Sequence, residues 1–148
     1  EDTFISSTFW TERIGPTAAL KALEVMERER TWETITQTGS KIRAGIEEVA
    51  GRHQLDITSW GLQALTGYSF NSKHAIKYKT MVTQEMLKKG FLASNLIYSC
   101  TEHTSEVIDE YFHCLDPIFS EIRDCEDGKN IEILLSGSVC HGGFKRLN

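Results

Sequence analysis

Apolar residues recur at helical spacing in several stretches of the chain and cluster at strand-like density between them. From Gly15-Pro16, Ala18, Ala19, Leu20, Ala22, Leu23, Val25 and Met26 fill a helix to about Arg30. Proline is tolerated in the first helical turn and fixes φ there, so Pro16 marks the start. The many alanines predict close packing of this helix. Thr31 is the expected N-cap of a second helix, with Glu33 in its first turn. Trp32, Ile35, Gly39, Ile42, Ile46 and Val49 then follow at spacings of three and four, one stripe that leaves Lys41, Arg43, Glu47 and Glu48 off it. Gly39 costs the helix ~1 kcal/mol against alanine, so its place on the stripe is read as the close approach of another helix.

Beyond Gly51 the pattern shortens. Leu55–Trp60 and Ala64–Phe70 read as two neighbouring strands. Asn71-Ser72 can cap a third helix, from about Lys73 to Lys89, and Gly90 just past Lys88 and Lys89 suits its carbonyl end. A third strand is expected over Phe91–Tyr98, and a last long helix over Thr104–Asp124. Pro117 is expected to kink or restart that helix, with Asp116 as an internal cap. Ile131–Leu135 can form one further helical turn, and Gly137–Asn148 reads as a tail. The sum is an α+β two-layer domain, with about three or four mainly antiparallel strands and helices packed on one face. Its expected divisions are an extended segment over 1–15, the domain proper over 16–125 and a tail over 126–148.

Composition narrows the function. The chain has 148 residues, one domain at the usual ~100–200 residues each. Hydrophobic residues make up 40%, enough for a core without staples. Sixteen Lys and Arg against 21 Asp and Glu, interspersed, give a net charge of −5. Nucleic-acid binding is not expected, because it needs clustered cations. There is no long apolar run and no charged-then-apolar leader, so no membrane role is expected and the cytoplasm is the expected compartment. The four cysteines, Cys100, Cys114, Cys125 and Cys140, lack close pairs and are read as free thiols. A start at Glu1-Asp2-Thr3, with no initiator Met, gives the expectation of a piece of a longer polypeptide.

Self-contained catalysis has little support. There is no Gly-rich phosphate loop with a lysine, no Gly-x-Ser-x-Gly, no His-Glu-x-x-His and no Cys-x-x-Cys. Cys100, His103, His113, Cys114, Cys140 and His141 have zinc-ligand chemistry but not zinc-ribbon spacing, so packing or surface roles are expected and no metal. Glu47-Glu48 and Asp109-Glu110 are adjacent on helices and point apart, which fits solvated faces. Ser6-Ser7-Thr8 is more informative, because three hydroxyls in an extended run before a helix can offer side-chain and backbone donors to an anion such as a phosphate. Hydroxyl-rich turns are also common without any ligand.

Phe4-Ile5-Ser6-Ser7-Thr8-Phe9, the Gly-Pro-Thr-Ala-Ala-Leu helix start and Leu23-Glu24-Val25-Met26 resemble the C-terminal part of class III aminotransferases. Within these pyridoxal-phosphate enzymes of fold type I, the chain looks most like the glutamate-1-semialdehyde aminomutase branch. Glu85-Met86-Leu87-Lys88-Lys89-Gly90 and Glu102-His103-Thr104-Ser105-Glu106-Val107-Ile108-Asp109 extend the resemblance to about residues 4–125.

The resemblance implies that the Schiff-base lysine, the aspartate facing the pyridine nitrogen and the stacking aromatic lie upstream, in a large domain. No catalytic residue is therefore expected here, and the chain alone should be inactive and bind no cofactor. It implies that Thr8, helped by Ser7, binds the cofactor phosphate of the neighbouring subunit in a homodimer. The family pattern continues Gly-Gly-Asn-Pro where this chain reads Trp10-Thr11-Glu12-Arg13, and Thr58–Gln63 has no carboxylate-gripping arginine. Arg13 is the substitute candidate for an amino-acid, amino-sugar or semialdehyde substrate. A free-standing, non-catalytic binding module with the same fold is the alternative, and an independent zinc enzyme a third reading.

Overall fold

The computed structural model describes residues 12–142. Among these residues, four α-helices and three strands occur in the order α1 (Ile14–Glu29), α2 (Thr31–Arg52), β1 (Ile57–Leu62), β2 (Leu65–Phe70), α3 (Ala75–Lys88), β3 (Leu96–Tyr98) and α4 (Ser105–Glu126), followed by a 3-10 turn at Ile131–Ile133. The chain divides into two compact units, the first ending at Glu33 and the second beginning at Thr34.

In the first unit the Glu12 carboxylate accepts the N–H groups of Ile14 and Gly15 at the start of α1. An acidic side chain there satisfies donors that the helix cannot. Arg30 closes the helix in the left-handed region at φ 49°, its N–H directed to the carbonyls of Met26 and Glu27. The close packing expected from the alanines is not found: α1 buries none of its residues, and Ile14, Leu20 and Leu23 are exposed. Small side chains permit close approach but do not by themselves supply a partner.

The second unit is a three-stranded antiparallel sheet, ordered β1-β2-β3, with helices against one face. Leu62 pairs with Leu65 across the Gln63-Ala64 turn, and the register runs out to Ile57 opposite Phe70. Side chains alternate faces along a strand, so Tyr68 and Phe70 of β2 point to the helical side. There they meet Phe119 of α4 at ring distances of 6.0 and 5.4 Å, and Phe70 meets Tyr78 of α3 at 5.5 Å. Ile42, Ile46 and Val49 of α2, Met81 and Met86 of α3, and Leu115 and Ile122 of α4 complete the core. Each such side chain stabilises the fold by roughly 1.5–3 kcal/mol on burial.

Several boundaries move for identifiable reasons. β1 begins at Ile57 rather than Leu55, because Gln54 adopts φ 52° and the Leu55 N–H bonds the Ala50 carbonyl, which keeps Leu55 in the closure of α2. β3 is shorter than Phe91–Tyr98. Gly90 takes φ 89° and the Phe91 N–H returns to the Met86 carbonyl, so Phe91 belongs to the cap of α3. Asn95 then replaces one rung of the ladder: its carbonyl accepts from Tyr68 N–H, and its side-chain amide donates to the Tyr68 carbonyl at 2.9 Å.

Pro117 neither breaks nor restarts α4, which is continuous. The missing hydrogen bond falls on the solvent side, where His113 and Pro117 are both exposed. Asp116 is not an internal cap. Its carboxylate accepts from Arg52 Nη1 at 2.7 Å and lies 3.1 Å from His53 Nε2, tying the end of α2 to α4. Gly39 admits no second helix; it admits the β1–β2 turn, as a Cβ there would stand 1.6 Å from the Gln63 carbonyl oxygen.

Residues 126–142 are more than a tail. Ile131 is buried in the core. The Gln84 side-chain amide donates to the Leu134 carbonyl at 2.9 Å and its oxygen accepts from Ser136 N–H, and Thr80 Oγ1 accepts from Cys140 N–H at 3.0 Å. Lys77 adds an ion pair to Glu132 at 2.7 Å, so polar side chains of α3 hold a segment that has no periodicity of its own.

Candidate functional site

Ser7 and Thr8, the expected phosphate contacts, lie outside the described residues, as do Ser6 and Trp10. Arg13 immediately precedes α1 and is exposed; its carbonyl accepts the Thr17 N–H at 3.0 Å.

Among the residues that fall off the apolar stripe of α2, Arg43 has a structural role. It lies one turn beyond Gly39 on α2 and is half-buried. Its Nε donates to Thr66 Oγ1 at 3.0 Å, and its Nη2 to the carbonyls of Trp60 at 3.0 Å and Gly61 at 2.6 Å. Gly61 sits at φ 86°, where a Cβ would collide with the Leu65 carbonyl. The planar fork of donors therefore clamps the irregular end of β1, a task a lysine point charge performs poorly. The signal in the sequence was the 39/43 spacing, which places Arg43 on the same ridge as the stripe glycine.

Two clefts flank the sheet. One, of about 290 Å³, lies between the segment leading into β3 and α4, lined by Phe91, Leu96, Tyr98, His103, Val107 and Tyr111. It is mainly apolar. The Tyr111 hydroxyl is buried without a hydrogen-bond partner, and burial pushes its pKa up. The other, of about 400 Å³, is lined in part by Ser69, Lys79, Asn95, Cys140 and His141.

A pyridoxal-phosphate site needs a lysine amine, a charged partner for the pyridine nitrogen and donors for the phosphate. The second cleft offers the Lys79 amine, but no acidic residue or arginine lines it. That cleft therefore does not make a complete site for this cofactor. Among the described residues, no group of three or more His, Cys, Asp or Glu is placed to hold a metal ion. Cys100 and His103 are joined by the Cys100 N–H to His103 Nδ1 contact at 3.4 Å and by the His103 N–H donating to the Cys100 carbonyl at 3.2 Å. The cysteines are free: Cys100 exposed, Cys114 and Cys140 intermediate, and Cys125 buried, its thiol pKa pushed up by burial. Glu47, Glu48, Asp109 and Glu110 are exposed. No described helix is long and apolar enough to cross a membrane.

No protein-family model matches the chain. It is 26% identical over 125 residues to the 3-aminobutyryl-CoA aminotransferase of Cloacimonas acidaminovorans (strain Evry), a match covering 81% of this chain and 30% of that protein. It is 24% identical over 124 residues to the aminopentol aminotransferase of Sphingopyxis macrogoltabida, covering 82% of this chain and 29% of that one. Among solved structures, the FumI protein of Sphingopyxis sp. MTA144 in its PLP internal aldimine form superimposes with a TM-score of 0.73 at 23% identity, over 90% of this chain and 33% of that chain. The chain spans about 30% of the length of the aminotransferases it matches. Its α+β fold is that of one third of a pyridoxal-phosphate enzyme, and its sequence is similar to aminotransferases over most of its length.

Proposed function

We propose that this chain is the C-terminal small domain of a pyridoxal-phosphate-dependent class III aminotransferase, close to the glutamate-1-semialdehyde aminomutases. The observation that carries the reading is the coincidence of two likenesses over the same chain: the fold of a pyridoxal-phosphate enzyme over 90% of it, and aminotransferase sequences over 81–82%.

In the intact enzyme Thr8 and Ser7 donate to the cofactor phosphate of the second subunit of a homodimer. Hydroxyl and backbone N–H donors hold a dianion well. Arg13 binds the carboxylate of an amino-acid or semialdehyde substrate, or the corresponding group of an amino sugar, in a cytoplasmic enzyme. The domain alone has no amino-transfer activity.

The test is borohydride reduction of the full-length polypeptide, and separately of this chain, after incubation with pyridoxal phosphate, read by intact and peptide mass. The expected result is one stoichiometric adduct on a lysine upstream of this chain, and none on the chain alone. A stoichiometric adduct on a lysine of this chain, Lys79 above all, would overturn the assignment.

A further inference from the structure

The cleft of about 400 Å³ opens where the sheet stops short. β3 pairs with Leu65, Thr66 and Gly67, so the second half of β2 has a bare edge, met at one rung by Asn95. Backbone groups along an antiparallel strand point alternately to its two sides. The Tyr68 N–H reaches the Asn95 carbonyl at 3.0 Å, and the Phe70 N–H, two residues on, points the same way and meets no acceptor among the described residues. A backbone donor left at the wall of a cleft calls for an acceptor.

Lys79 of α3 lines the same cleft and is half-buried. Its neighbour Lys77 is paired with Glu132 at 2.7 Å, but Lys79 has no carboxylate partner among the described residues, and no acid lines the cleft. Ammonium groups drawn out of water are normally paired. Ser69 Oγ accepts from Trp60 Nε1 at 3.0 Å, which leaves its own O–H to donate elsewhere, and the His141 imidazole adds a ring N–H to the lining. Ala75 and Ile76 give the cleft an apolar wall. The segment that closes it is tied down, with the Cys140 N–H on Thr80 Oγ1 at 3.0 Å and the Cys140 thiol directed to the Ile76 carbonyl at 3.7 Å.

We infer that this cleft binds a small organic anion, a carboxylate or a phosphate monoester, whose charged oxygens meet Lys79, the Ser69 hydroxyl and the Phe70 N–H and whose apolar part lies against Ala75 and Ile76. Hydrogen bonds to an ionised acceptor are the strong ones, and a few convergent polar groups in a partly apolar cleft are the make-up of a small-molecule site. The donors come from β2, α3 and the segment after α4, so the whole fold brings them together and no one stretch of sequence displays them. The inference does not rest on the functional reading above, because every group it uses belongs to this chain.

Lysine footprinting of the full-length protein tests this. Reductive methylation of Lys79, with the exposed Lys41 and Lys73 as references, is followed by peptide mass during titration with benzoate, with phenyl phosphate and with neutral benzamide, three molecules of similar shape. With an anion at about ten times its dissociation constant, mass action slows methylation of Lys79 about tenfold. The two reference lysines stay unchanged, and benzamide has no effect. Protection by one anion and not the other supports the inference and names the head group. Equal protection by benzamide would overturn it, since the cleft would then select shape without charge. So would the absence of protection by either anion, or a Lys79 that is unreactive from the outset, which would show the cleft already filled by another part of the polypeptide. The borohydride experiment is separate: an upstream adduct with an unprotected Lys79 removes only the anion site, while protection of Lys79 without any adduct removes only the cofactor reading.

Discussion

The carbonyl oxygen of Gln63 lies against Gly39 so closely that a Cβ on Gly39 would stand 1.6 Å from it. One turn further along α2, Arg43 reaches the carbonyls of the same hairpin. The helix and the hairpin are thus fitted by the absence of a side chain at one position and a forked donor at the next.

Gly39→Ala should destabilise the unit by roughly 1–3 kcal/mol, the cost of forcing backbone apart in a packed site, despite its gain in helix propensity. Gly51 is also in α2 but has nothing within 4 Å of its Cβ position. Gly51→Ala should therefore be neutral or stabilise by up to ~1 kcal/mol. Urea midpoints of the two variants should move in opposite directions, and a common direction would contradict the contact.

Arg43→Met should leave the Thr66 hydroxyl and two backbone carbonyls without their donor, at a cost of about 1–3 kcal/mol. Amide exchange should rise most across β1 and β2. Arg43→Lys should recover only part of the loss, because a single ammonium cannot span the three acceptors.

Glu126 gives a pH dependence. A hydrogen bond from Ser72, then the proximity of the Tyr78 hydroxyl, hold its carboxyl below the ordinary value of 4.5. A carboxylate depressed on folding stabilises the native state above the unfolded value and ceases to do so as pH falls through the folded one. The stability difference between the protein and its Glu126→Gln variant should thus be constant at neutral pH and shrink as the pH falls below 4.5. Thermal midpoints across that range measure it, and a difference that does not change would remove Glu126 from the acid limb.

Gly90→Ala should cost about 1 kcal/mol, because the C′ residue of α3 must hold φ 89°. The loss should appear as faster exchange at Gly90 and Phe91, whose N–H groups bond Leu87 and Met86. Unchanged protection at both would show that another closure serves equally well.

The layout of the fold was legible where a local signal and the global packing agree. The stripe through Ile42, Ile46 and Val49, the β-rich run ending at Phe70 and the glycine after Lys89 each predict an element that is present. What misled was chemistry whose partner is remote in sequence. Gly39 announced a close approach but not by what, since its neighbour comes from residue 63. Asp116 looked like a cap for Pro117 because its partners, Arg52 and His53, are more than sixty residues away. The segment after Glu126 has no periodicity because its fixation is made by Gln84 and Thr80. Of the candidate site, the exposed Arg13 is placed, Ser7 and Thr8 lie outside the described residues, and Arg43 was missed because a cation off an apolar stripe is usually solvated.

The order of the sheet bears on how the unit forms in time. Each strand pairs with the one before it in the chain, and all pairings are antiparallel. Among the described residues no strand has to be inserted between two that are already joined, and the first pairing closes a loop of two residues. Contacts that are near in sequence form quickly. Assembly can therefore proceed in chain order, hairpin first, then β3 after α3 has turned back, with α4 sealing the aromatic cluster last.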